Sequence, residues 1–159
     1  MRVNVLEREQ RLPCAPGAAF AFFGDAFNLE AITPPWLLFR IVTPRPIEMR
    51  PGALIEYRLR LRGLPVRWLT QIDEWDPGRR FVDTQLRGPY RLWHHTHSFE
   101  PDGAGGTLMR DTVRYTLPLG PAGELARRLV VGRDLGRIFD FRREAIANRL
   151  SDARASWRR

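Results

Sequence analysis

With 159 residues, 43 % of them hydrophobic and 28 % charged, the chain has the size and balance of one folded domain, and no apolar run reaches the length of a membrane span. Its single cysteine, Cys14, rules out an internal disulfide. The net charge of +8 comes from 26 basic residues, all arginine, and they are spread along the chain rather than gathered in one tract, which argues against a specific nucleic-acid partner.

Met1 to Arg11 carries charges where a signal peptide needs an apolar centre, so a cytoplasmic protein is expected. Val3 to Leu12 reads as the first strand, with Cys14 a small residue near its end. Pro13 and Pro16 stop it, and Pro16 opens a helix. Phe20, Phe23 and Phe27 recur at helical spacing over Gly17 to Ala26. Asp25 is placed to cap a second short helix over Ala26 to Ile32, which Thr33-Pro34-Pro35-Trp36 ends.

The pattern then turns to period two. Leu38 to Thr43 reads as a strand, followed by a proline-rich loop, in which Arg45 to Arg50 looks flexible. In Ala53 to Arg62, Ile55, Tyr57, Leu59 and Leu61 share one face, and Glu56, Arg58, Arg60 and Arg62 the other, the pattern of a sheet with one solvated side. Val66 to Trp75, Arg80 to Leu86, Tyr90 to Glu100 and Thr107 to Leu117 follow, separated by glycine and proline turns. From Pro121 to about Arg154 the period is helical again, with Leu125, Leu129, Leu135, Ile138, Phe139, Ile146 and Leu150 on one side; Gly132 and Gly136 weaken the middle. Residues 1–155 form one domain on this reading, with 156–159 a frayed tail. The fold class is α+β: about seven strands, mostly antiparallel because their connections are short, two short helices, and a long C-terminal helix that must cover the apolar sheet face.

This order and several local segments resemble the START-like superfamily, often called SRPBCC, which includes lipid-transfer domains, plant pollen-allergen-like proteins and aromatic polyketide cyclases. The segments are Pro16 to Asp25, Leu29 to Trp36 (LEAITPPW), Arg87 to Phe99, Gly106 to Asp111 and the final helix, so that the resemblance spans nearly the whole chain. It implies a helix-grip fold, a curved antiparallel sheet wrapped on the long helix, enclosing a hydrophobic cavity. It implies no defined reaction, because one fold carries many functions.

The segment Trp93-His94-His95-Thr96-His97-Ser98-Phe99 is the most informative. Strand alternation puts Trp93, His95, His97 and Phe99 on one face, and the two aromatics assign that face to the interior; His94 then points outward. In the next strand Met109, Asp111, Val113, Tyr115 and Leu117 alternate inward, and the hairpin at Gly103–Gly105 sets Asp111 roughly opposite His95 or His97. Asp83 and Gln85 alternate with Phe81 and join the same polar group, and Arg142 reaches it from the helix. Tyr57, Trp68, Tyr115 and Phe139 face inward and line the cavity. Trp36 is expected to cap the short helices rather than form a rim.

Four roles fit this cluster: a hydrogen-bond network that fixes the sheet, a ligand-orienting group in an apolar pocket, acid–base catalysis by His95 or His97 with Asp111 orienting it, and metal binding. The metal reading would use His95, His97 and a carboxylate; two histidines at i and i+2 can share a metal, but no third ligand stands at a defined spacing, so neither metal nor other cofactor is expected. The leading expectation is a non-catalytic protein binding a hydrophobic small molecule, a lipid, polyketide or aromatic. The alternative is a cyclase- or dehydratase-like enzyme, and a third class is a protein-interaction or regulatory module. The sequence does not set an oligomeric state.

Overall fold

The computed structural model describes residues 3–156, with side chains described as far as Leu150. Strand β1 (Asn4–Leu12) leads into helices α1 (Pro16–Gly24) and α2 (Asn28–Ala31) and a 3₁₀ turn (Pro35–Leu37). Strands β2 (Arg40–Ile41), β3 (Leu54–Leu61), β4 (Leu64–Asp76), β5 (Arg80–Arg87), β6 (Leu92–Pro101) and β7 (Thr107–Thr116) follow. Helix α3 (Gly120–Ala126), a π-helical turn (Arg127–Val131) and helix α4 (Gly132–Ser156) complete the chain. The strands make one seven-stranded sheet in the order β1-β7-β6-β5-β4-β3-β2, antiparallel at every neighbouring pair.

The α+β helix-grip architecture follows from how each strand divides its side chains. On β6, Trp93, His95, His97 and Phe99 are buried while the residues between them keep solvent contact. On β7, Met109, Asp111, Val113 and Tyr115 do the same. The register between β4 and β5 slips at Leu69/Thr70 and again at Ile72/Glu74, and such bulges bend a strand. Two packed clusters hold helices to the concave face. Phe20 and Phe23 of α1 meet Leu12, Phe81, Phe99, Met109 and, from α4, Ile146. Leu135 and Phe139 of α4 meet Trp93, Val113 and Tyr115. Burying each such side chain contributes about 1.5–3 kcal/mol.

Three expectations need correction. The long C-terminal helix is present, with no gap from Gly120 to Ser156, but it does not have a single apolar side. Leu125 and Leu129 are 58 % and 62 % exposed, because the π-helical turn separates them from Leu135, Phe139 and Ile146. An i→i+5 turn takes up extra chain, so side chains before it are rotated by roughly 100°, one residue's twist. The strand expected over Leu38–Thr43 shrinks to Arg40–Ile41, since Leu38 adopts a left-handed conformation and breaks the extended run. Helix α2 starts at Asn28 rather than Ala26, because the Asp25 carboxylate accepts from the Phe27 amide at 2.9 Å and makes a turn first. The tail expected to fray, 156–159, lies outside the described residues except for the backbone of Ser156.

Candidate functional site

A cavity of about 180 Å³ lies between the concave face of the sheet, the α1–α2 segment and α4. Most of its wall is apolar, with Phe23, Leu29, Ile55, Leu59, Trp93 and Phe139 contributing from five elements. A polar group is set into this wall by three adjacent strands. In register, Asp83 of β5 stands opposite His95 of β6, and Asp111 of β7 stands opposite His97 of β6. Antiparallel pairing puts opposite Cβ atoms about 5 Å apart, close enough for both carboxylates to reach both rings.

The two imidazoles lie close together, their centroids 3.7 Å apart and their planes tilted by 37°. His95 Nε2 donates to Asp111 Oδ1 at 3.0 Å, and His97 Nε2 donates to Asp83 Oδ2 at 2.9 Å. His97 Nδ1 also lies 2.9 Å from Asp111 Oδ1, but without hydrogen-bond alignment, so that contact is electrostatic. His95 Nδ1 stands 3.8 Å from Asp83 Oδ2, beyond hydrogen-bonding distance. With Nε2 donating, a neutral His95 carries its lone pair on Nδ1; the tautomer is assigned from the carboxylate acceptor. Phe81 stacks on His97 at 4.1 Å, and Phe139 meets His95 edge-on at 5.8 Å, so both rings are held by neighbours.

Burial and charge act against each other here. Burial, with the charge of His97, holds His95 below the ordinary imidazole range despite Asp111 and Asp83. Burial also opposes the charge of His97, but Asp111 and Asp83 outweigh it and raise the ring above that range. Asp111 lies well below the usual carboxylate range, because Arg142 and the two histidines overcome the cost of burial. Asp83 is lowered for the same kind of reason, through His97, His95 and Arg142. The group therefore favours ionised carboxylates, the charged form of His97 and the neutral form of His95, with the Arg142 guanidinium in the same field. Burial, with the Asp83 charge, raises the Tyr57 hydroxyl, which stays protonated.

Of the residues expected to form a ligand site, Tyr57, Trp68, Asp83, Trp93, His95, His97, Phe139 and Arg142 line the cavity. Four do not. Phe99 is packed in the α1 cluster and Tyr115 behind Trp93. Asp111 lies outside the cavity wall and accepts a hydrogen bond from His95. Gln85 does not join the polar group at all: its amide bonds to the backbone of Tyr90 on both sides, at 2.6 and 3.2 Å. Trp36, 50 % exposed, caps no helix; it sits edge-on to Phe141 of α4 at 5.6 Å. His94, as alternation requires, lies on the opposite side of β6 from His95.

Sequence reasoning missed part of the wall. Met49, in the loop expected to be flexible, lines the cavity and packs with Ile47 against Ala26, Ile55 and Ile72. Phe39 and Leu37 reach it from the 3₁₀ turn and its exit. No periodicity marks such residues, since they lie outside regular elements. Thr70 is a further one; it accepts from Trp68 Nε1 at 3.1 Å and so fixes the indole on the cavity wall.

No protein-family model matches the chain, and no curated protein sequence matches it. Solved structures do. The ZhuI aromatase/cyclase from Streptomyces sp. R1128 superposes with a TM-score of 0.75 at 15 % identity, covering 94 % of each chain. TTHA0849 from Thermus thermophilus gives 0.70 at 22 % identity, covering 94 % of this chain and 99 % of its own. Ara h 8.0201 gives 0.64 at 19 % identity over 95 % of this chain and 99 % of its own. No helix among the described residues is long and apolar enough to cross a membrane. Sheet order, helix placement and near-complete coverage by these structures agree: the chain has the helix-grip fold that they share.

Proposed function

We propose that the protein binds a small, mostly apolar molecule in the cavity, and that the polar group on the wall orients it through one oxygen. The observation that carries this reading is the contrast within a single cavity: aromatic and aliphatic walls, broken by His95, His97 and Asp83 side by side. A few convergent polar groups in an apolar pocket fix orientation and select among ligands of similar shape. An apolar cavity of ~150 Å³ accepts benzene, so about 180 Å³ suits one or two fused rings without rearrangement. Trp68 and Trp93 on the wall provide the signal. Tryptophan fluorescence titrated with 2-naphthol and with naphthalene should show saturable binding of both, one per chain, with at least a tenfold preference for the naphthol. Absence of saturable binding of either probe up to its solubility limit removes this reading.

A second reading has its own support. His95 is held neutral, is oriented by Asp111, and has its free lone pair on Nδ1, which is the preparation a general base needs. Cyclisation or dehydration of a polyketide-like substrate would use such a base, and the fold likeness to an aromatase/cyclase supports the analogy. If His95→Gln and His97→Gln both leave turnover of a polyketide-like substrate unchanged, the catalytic reading fails.

A further inference from the structure

The geometry points to a site for one divalent first-row transition ion, held by His95 Nδ1, His97 Nε2 and an Asp83 carboxylate oxygen, with its open side on the cavity. Sequence alternation brings two histidines and a carboxylate to one face but does not define which carboxylate completes a donor set. The sheet selects Asp83, the β5 residue in register with His95. One donor atom from each of the three residues lies within 4.8 Å of the others. Asp83 Oδ2 is 2.9 Å from His97 Nε2 and 3.8 Å from His95 Nδ1. Metal bonds of about 2.0–2.2 Å need donor atoms roughly 3–3.5 Å apart, so small side-chain rotations close the set around an ion.

The surroundings fit the same assignment. Each imidazole turns one nitrogen toward Asp83 and the other toward Asp111: His95 Nε2 lies 3.0 Å and His97 Nδ1 2.9 Å from Asp111 Oδ1. A carboxylate behind a metal-binding histidine fixes ring orientation and raises its basicity, and its loss typically costs 10–100-fold in metal affinity. Here Asp111 accepts a hydrogen bond from His95 and stands in electrostatic contact with His97. Phe81 and Phe139 restrain the rings further. All three donor residues line the cavity and Asp111 does not, so a bound ion would keep its vacant positions toward a ligand. Two histidines and one carboxylate with open positions is a donor set for Fe²⁺, Co²⁺ or Zn²⁺ rather than Ca²⁺ or Mg²⁺. The guanidinium of Arg142 shares the field of the same carboxylates and opposes a second cation, which weakens the expected affinity.

The test uses the untagged, chelator-stripped full chain and Co²⁺, whose visible absorption reports coordination. The expected result is one Co²⁺ per chain by equilibrium dialysis, with affinity at least tenfold weaker in both His97→Gln and Asp83→Asn. Asp111→Asn should weaken it by about 10–100-fold while leaving the band positions unchanged. No uptake by the wild type at millimolar Co²⁺, or uptake insensitive to both ligand substitutions, overturns the site. Should a variant fail to fold, pulsed EPR of the Cu²⁺-loaded wild type decides: coupling to two imidazoles supports the assignment, and coupling to one or none refutes it. Naphthol binding to the metal-free protein reads the cavity separately, so failure of one proposal is distinguishable from failure of the other.

Discussion

His97 holds a charge inside the protein because two carboxylates converge on it, and that has a consequence for stability. Its folded pKa is raised above the ordinary value of 6.5. The folded state therefore binds more protons than the unfolded state above that pH, and stability must fall as pH rises through the folded pKa. His95, with a lowered pKa, acts in the opposite sense: its contribution is complete above pH 6.5 and is lost on acidification. Asp83 and Asp111 likewise contribute above the ordinary carboxylate range and lose that contribution as pH falls through their lowered values. Urea unfolding from pH ~7 to ~9, above the range in which His95 acts, should thus show stability declining with pH in the wild type and a flatter profile in His97→Gln. Which side chains meet at this point is legible at residue level for His95, His97, Asp83 and Asp111, because alternation and hairpin register are local properties of extended chain. The same reasoning fails for Gln85 for an equally local reason. The β5–β6 pairing ends at Thr84↔His94, so Gln85 has no partner on the histidine strand, and its amide bonds instead to the backbone of Tyr90 in the turn that follows.

At the scale of elements, the C-terminal helical region shows where periodicity misleads. Leu125 and Leu129 fit the spacing of Leu135, Phe139 and Ile146 only if the helix runs without interruption, and the turn at Arg127–Val131 interrupts it. The expected contrast is large. Leu125→Gln and Leu129→Gln should each change stability by no more than about 0.5 kcal/mol. Ile146→Ala should cost about 2–5 kcal/mol, since Ile146 is fully buried among Leu12, Phe99 and Met109. Thermal or urea melts of the three variants check this directly. Near-equal losses at all three positions would mean that the rotated register is wrong. The strands are read with smaller errors, because a period of two is short and any slip reverses every side chain; β6 and β7 keep the expected faces over their whole lengths.

For the whole molecule, the cavity is what the fold does not fill. Leu59 lines it and is itself buried, and it stands on β3, away from the histidines of β6. Leu59→Trp should insert its larger ring into the cavity and abolish naphthol binding. It should leave the pH profile set by His97 unchanged and cost about 1–3 kcal/mol for the added volume. Calorimetric titration together with urea melts reads both effects; unchanged affinity would place the bound molecule elsewhere.

The amino-acid order alone determined which faces of the strands are apolar, that the sheet is antiparallel, and that two histidines and two carboxylates point inward. These follow from backbone geometry repeated every two residues and from short connections, and neither depends on distant parts of the chain. Tertiary structure decided the rest: the rotation of α3 against α4, the place of Met49 and Phe39 in the cavity wall, the size of the space left open, and the distances that bring an Asp83 oxygen beside both histidines. Each of these is set by the packing of elements far apart in sequence, where small differences between large occupied volumes determine what remains open.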